Sequence, residues 1–166
     1  MSEAEKKTAS KADKRASKRL TGTEIVALVG GGLLALGVFL PWYNIENKRG
    51  SIDAVRGPAD LTGWEVHDIQ RYLWLAAAIA PFILAYIILR GHKLSWARGE
   101  MTAVTAIAAF GLLVYAGLIN RPGDPRSLTS LKWGWLVALA GIILMVVGSA
   151  LRASETERAR KPPGVL

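Results

Sequence analysis

The sequence predicts an all-α integral membrane protein, an up-and-down bundle of four transmembrane helices. Three observations carry that prediction. The first is a set of four apolar runs, at about residues 25–43, 72–89, 102–119 and 134–151. Each matches the ~20 helical residues that cross a hydrocarbon core. The second is the placing of the bases. Segments 1–23, 90–101 and 152–166 carry fourteen Lys and Arg, whereas loops 44–71 and 120–133 carry seven. Bases collect on the cytoplasmic side, so both termini and the 90–101 loop are expected there. The third is the aromatic residues. Trp42, Tyr43, Tyr72, Trp74, Trp133 and Trp135 fall at the outer ends of the runs, where a ring with one apolar and one wet edge suits the interface.

Each element follows in chain order. Residues 1–23 hold seven bases and no aromatic residue, so they read as a disordered cytoplasmic tail without a core. Thr23-Glu24 offers a cap and a first-turn acid for span 1. That span ends in Leu40-Pro41-Trp42-Tyr43, not in the small residues of a cleavage site, so it is expected to be retained. In loop 44–71, Asn47-Lys48-Arg49-Gly50 predicts a turn between short strands holding Ile45 and Ile52. Leu61–Arg71 reads as a helical lead into span 2. Pro81 removes a hydrogen bond in the middle of span 2 and marks a kink. Thr102, Thr105 and Tyr115 are the polar groups of span 3, expected to bond between helices. The third loop opens on Pro122-Gly123-Asp124-Pro125, and residues 152–166 read as a disordered tail.

Small residues mark the packing faces. Gly134, Ala138, Gly141 and Gly148 share one stripe of span 4, and Ala27, Gly31 and Ala35 recur at four-residue steps in span 1. No hydrophobic effect drives helices together in lipid, so close backbone approach at small residues must do it. The seam serves either one monomer or a dimer.

Several chemistries are excluded or disfavoured. A chain of 166 residues has little length left over for a second, soluble domain. It has no cysteine, which removes thiolate nucleophiles, disulfide exchange and cysteine metal sites. No Asp, Glu, Lys, Arg or His lies between the span ends, whereas ion-coupled transport usually uses a buried charge. The net charge of +8 sits beside apolar runs, as topology requires, and no nucleic acid is expected. His67 and His92 fall on opposite sides. Glu65, His67 and Asp68 are the nearest thing to an ion site, and no metal, cofactor or catalytic constellation is expected.

Leu40-Pro41-Trp42-Tyr43, followed by Gly63-Trp64-Glu65 and a glycine-spaced last span, resembles small, uncharacterised four-span proteins of actinobacteria over about residues 24–152. That resemblance implies a bacterial plasma membrane and no known activity. Leu40-Pro41-Trp42 and Gly63-Trp64 also resemble, more weakly, the claudin type, whose loop cysteine pair is missing here. In this reading Pro41, Trp42, Gly63 and Trp64 anchor the outer loop, with Trp42 and Trp64 packed together.

The expected function is that of a non-catalytic envelope protein with a structural or accessory role. It would work through its outer loop and glycine-rich helix faces. Its partners are the lipid bilayer and either itself or another membrane protein. The alternative is a small-solute channel or transporter subunit acting as an oligomer. The topology makes one firm prediction. A single cysteine placed near Gly50 reacts with an impermeant thiol reagent on intact cells, while tags at both termini stay protected. A protected cysteine there would invert every loop.

Overall fold

The computed structural model describes residues 20–90 and 99–160. Four long helices form its body: α1 (Gly22–Val38), α3 (Gln70–Arg90), α4 (Glu100–Val114) and α5 (Trp133–Arg160). A single turn, α2 (Gly63–Val66), precedes α3, and a π-helical segment, Tyr115–Ile119, prolongs α4. Five short strands lie between the helices: β1 (Pro41–Ile45), β2 (Ser51–Ile52), β3 (Val55–Arg56), β4 (Ala59–Thr62) and β5 (Thr129–Leu131). The main helix contacts run in the cyclic order α1, α3, α4, α5, and the α1–α5 contact is the most extensive.

Among the described residues three helices are long and apolar enough to cross a membrane: Gln70–Arg90, Glu100–Ile119 and Trp133–Ser154. Helix α1 is equally apolar but has 17 residues, about 26 Å of helix. The expected span 25–43 is therefore corrected at both ends. The helix is capped at Thr21, two residues before the expected cap, and Glu24 Oε2 accepts from Thr21 N at 2.8 Å. It stops at Val38 because Pro41 cannot donate to the preceding turn and disfavours helix at Leu40. The last turn closes through Phe39 N on Leu36 O and Leu40 N on Gly37 O. Pro41, Trp42 and Tyr43 are strand residues.

The other end of the chain also departs from expectation. Helix α5 continues through Arg160, so residues 152–160 are helical and not a disordered tail. Extending an existing helix adds one hydrogen bond per residue fixed, which is far easier than nucleating one. Residues 1–19, 91–98 and 161–166, with the tail and inner-loop readings that fall on them, lie outside the described residues.

Glycine decides how the helices meet. A Cβ on Gly141 would lie 2.5 Å from Leu34 N, and one on Gly30 would lie 2.5 Å from Gly141 O. Gly37 faces Ala138 in the same way, Gly148 faces Thr23 O and Ala27 N, and Gly134 faces Pro41 O. Gly134, Ala138, Gly141 and Gly148 thus form a seam inside one chain, with the backbone of α1 and of Leu40–Pro41 just beyond it as counterpart. Gly31 belongs to a second crossing, where its missing Cβ leaves room for Ala78 O and the Pro81 ring of α3. Ala35 is half-buried beside the same core. Pro81 is buried inside α3, which runs unbroken from Gln70 to Arg90. Leu34, Val38, Leu113, Ile142 and Met145 are fully buried and fill the middle of the bundle.

Outward, the helices are apolar. Val29, Leu36, Phe82, Ile83, Val104, Ile107, Leu136 and Ile143 are all exposed. Contiguous apolar surface on this scale has no place in water. Thr105 differs from expectation: its hydroxyl donates to Met101 O and Thr102 O within its own helix. Tyr115 is exposed.

The seam yields a paired prediction. Gly141→Ala drives a methyl into backbone and should cost about 1–3 kcal/mol, the usual range for overpacking. Gly111→Ala, with nothing within 4 Å of the new Cβ, should gain about 0.5–1 kcal/mol from helix propensity. Unfolding of the purified protein in detergent micelles measures both. Equal effects would show that the seam does not govern stability.

Candidate functional site

The end of the bundle expected to face outward carries a folded cap. Its centre is β1, which pairs antiparallel with β4 on one side and β5 on the other. Tyr43 is opposite Leu61 in β4 and Leu131 in β5. The sheet therefore joins two loops that are far apart in sequence. Asn44 Nδ2 donates to Asp60 Oδ1 at 2.7 Å, and Lys132 Nζ lies 3.5 Å from the same oxygen. A second link runs between Ser51 and Asp124, whose backbones exchange hydrogen bonds of 3.0 and 2.9 Å. The expected hairpin between Ile45 and Ile52 does not form. Ile45 ends the central strand of the large sheet, and Ile52 belongs to the separate β2–β3 hairpin. Both side chains are nonetheless buried, together with Leu61, as the apolar layer beneath the cap. Gly50 is buried against Ile45, so the exposed Lys48 is the better labelling position.

Beneath the sheet lies an aromatic box around His67. Trp42, Tyr43 and Trp74 are fully buried, and His67 is 6% exposed. The His67 ring is 5.6 Å from Trp42, 5.7 Å from Tyr43 and 5.2 Å from Trp74, edge-to-face in each case. Trp42 Nε1 donates to Gly37 O at 2.7 Å, which ties β1 to the last turn of α1. The Tyr43 hydroxyl donates to Ala116 O at 3.3 Å and meets His67 Nε2 at 3.0 Å. The phenol has one hydrogen, so His67 Nε2 carries the ring hydrogen in this arrangement.

The π segment explains why Ala116 O is available. A π turn widens the helix and frees carbonyls from the ordinary i→i−4 ladder. Asn120 N closes the segment on Tyr115 O, while Trp135 Nε1 donates to Leu113 O. Gly117 lies directly against the Trp135 indole, where no side chain would fit.

Trp64 has a different place from the one expected. Gly63, not Trp64, packs on the Trp42 ring, with a Cβ there 2.6 Å from Trp42 Cε2. Trp64 is half-buried at the edge of the core, as expected of an anchor, but it stacks on Phe39 at 5.2 Å and lies edge-on to Tyr72 at 5.6 Å rather than on Trp42. The Arg71 guanidinium lies 4.6 Å from the Trp64 ring centre and donates to Trp64 O. The turn that separates the two tryptophans is held by Thr62 and Glu65. Glu65 N donates to Thr62 Oγ1, and Thr62 N donates to Glu65 Oε2. This capping box is written in the sequence as Thr-Gly-Trp-Glu. The expected helical lead over 61–71 is thus a strand end, one capped turn and a break before α3.

The ion-site reading of Glu65, His67 and Asp68 separates geometrically. Glu65 serves the cap, His67 turns into the aromatic box, and Asp68 is exposed beside Arg71 at 3.8 Å. Burial drives the His67 pKa down to about 4, with the Asp53 charge pulling weakly the other way. Burial likewise pushes the Tyr43 phenol well above its ordinary range, opposed by Arg121. Both groups are neutral at physiological pH and act as hydrogen-bonding partners.

Comparison with protein-family models, curated proteins and solved structures finds no match for the chain.

The buried histidine sets a pH dependence. A histidine whose folded pKa lies below its unfolded value binds its proton more readily in the unfolded chain. Stability is therefore full above pH 6.5 and falls as the pH drops towards 4. The loss should be on the order of 3 kcal/mol by pH 4. His67→Gln keeps a partner for Tyr43 but does not titrate, and should remove this part of the slope. Thermal unfolding in detergent across that pH range tests it; an unchanged slope in His67→Gln would assign the acid sensitivity to other groups.

Proposed function

We propose that this chain is a non-catalytic, four-span protein of the bacterial plasma membrane with both termini in the cytoplasm. In this reading α1 is the fourth crossing, its short helix completed by the strand residues that follow. The protein works as a structural or accessory subunit, presenting its cap to an envelope partner. The observation that carries the reading is the cap itself. Two outer loops are folded into one sheet, pinned to the bundle by Trp42, Tyr43 and His67, while Lys48, Arg49 and Arg56 remain exposed at its rim. Ordered polar surface of this kind, held on rigid elements, is what recognition requires.

The filled middle of the bundle supports this reading over a pore through one protomer. Leu34, Val38, Leu113, Ile142 and Met145 pack there without exposure. A channel formed between protomers remains the alternative that the experiment must separate.

The test is crosslinking and affinity purification from native membranes. The intact protein should retrieve a membrane or envelope partner. Lys48→Glu/Arg56→Glu, which changes only the rim of the cap, should lose that partner while the protein keeps its yield and unfolding midpoint. Retention of the partner by this variant, or solute flux through the purified protein in liposomes, would overturn the proposal.

A further inference from the structure

All four long helices approach one another again near the end of the bundle opposite the cap, around a small void. The void has about 10 Å³ of room for the centre of a water molecule and is bordered by Glu24, Pro81, Gly99, Thr102, Ser149 and Arg152. Three buried polar groups face it. Glu24 is 5% exposed, Thr102 1% and Ser149 2%. Neither hydroxyl has a hydrogen-bond partner, and Glu24 Oε1 accepts no hydrogen bond. The three groups come from α1, α4 and α5. Buried polar groups left without partners are costly, and native proteins satisfy them with protein atoms or ordered water.

The chemistry selects the occupant. Arg152 Nε lies 3.2 Å from Glu24 Oε1, so the one acid at the void is already balanced by a guanidinium. A cation would meet that guanidinium, and an anion would meet the carboxylate. A neutral molecule with two donors and two acceptors suits the set, and a void of this size holds one such molecule if it is water. We infer that the void is a binding site for a single resident water, which donates to Glu24 Oε1 and bridges the Thr102 and Ser149 hydroxyls. The water completes the contact between α1, α4 and α5 at this end. It goes no further into the bundle. Met145 and Ile142, one and two turns along α5, and Leu34 on α1 are all fully buried and apolar.

The site also accounts for two features of the local sequence. Gly99 adopts φ +99°, and a Cβ there would lie 3.0 Å from Ser149 O. That close approach brings the first turn of α4, with Thr102, against α5. Gly148, the neighbour of Ser149, gives α5 the same closeness to Thr23 and Ala27.

The experiment is ¹⁷O magnetic relaxation dispersion on the full chain in detergent micelles, which counts long-lived internal waters. Thr102→Val/Ser149→Ala should lose one such water relative to the parent protein, and Thr102→Ser, which keeps a hydroxyl, should not. The unfolding midpoints give an independent reading. Each single change strands a bridging water, so the double variant should lose less than the sum of the singles. An unchanged water count in a folded double variant would overturn the inference, as would strictly additive midpoint losses. Replacing sodium with a bulky organic cation should leave the parent midpoint unchanged; a clear drop would assign the site to a metal ion instead.

Discussion

The backbone-to-backbone contact of α1 with α5 is the constraint on which the rest of the structure depends. It runs from Gly148 beside Thr23 and Ala27, through Gly30 and Gly141, to Gly37 beside Ala138 and Gly134 beside Pro41. At each of these points a glycine sets its own backbone directly against the facing segment. Because the contact extends to the last turn of α1, it delivers Pro41 and Trp42 to the first turn of α5. Lys132 N then donates to Trp42 O at 2.7 Å, and β1 lies beside β5. At the other end the same contact brings Glu24 to Arg152. The cap and the polar cluster are thus consequences of one seam, read at its two ends.

Helix identity was legible in the sequence wherever it rests on composition. Spans 2, 3 and 4 announce themselves by hydropathy and length, and the observed helices cover them. The small-residue stripe of span 4 was legible for the same reason, since in lipid only close approach explains such spacing. Its counterpart is only partly visible in the sequence. The four-residue spacing on α1 points to Ala27, Gly31 and Ala35, yet Gly30 and Gly37 make the tightest approaches to α5. Two neighbouring glycines, Gly30 and Gly31, serve different helices, and periodicity alone cannot divide them.

What escaped the sequence is long-range. The pairing of residues 41–45 with 129–131 joins segments more than eighty positions apart, and three residues of Thr-Ser-Leu carry no distinctive strand signal. In the sequence His67 is a loop histidine with the acidic neighbours Glu65 and Asp68. Only the fold reveals that a capped turn at Thr62–Glu65 reverses the chain and carries it under the sheet. That cap was readable, because Thr-x-x-Glu occurs both there and at Thr21–Glu24. Hydropathy carries span 1 past the helix end at Val38 because Leu40, Trp42 and Tyr43 are apolar. Hydropathy measures burial, and Trp42 and Tyr43 are buried in a sheet.

Helix α5 has a mechanical consequence. It is a single rod of 28 residues, about 42 Å long, with no proline in it. One end emerges directly from the strand pair of the cap. The other stands some two turns past Ser154, beyond the apolar stretch. Because α1 is packed along much of its length against this rod, tilting the cap tilts the far end with it. The seam makes a stiff spoke of the pair, and a load on the cap is felt geometrically at the far end of α5.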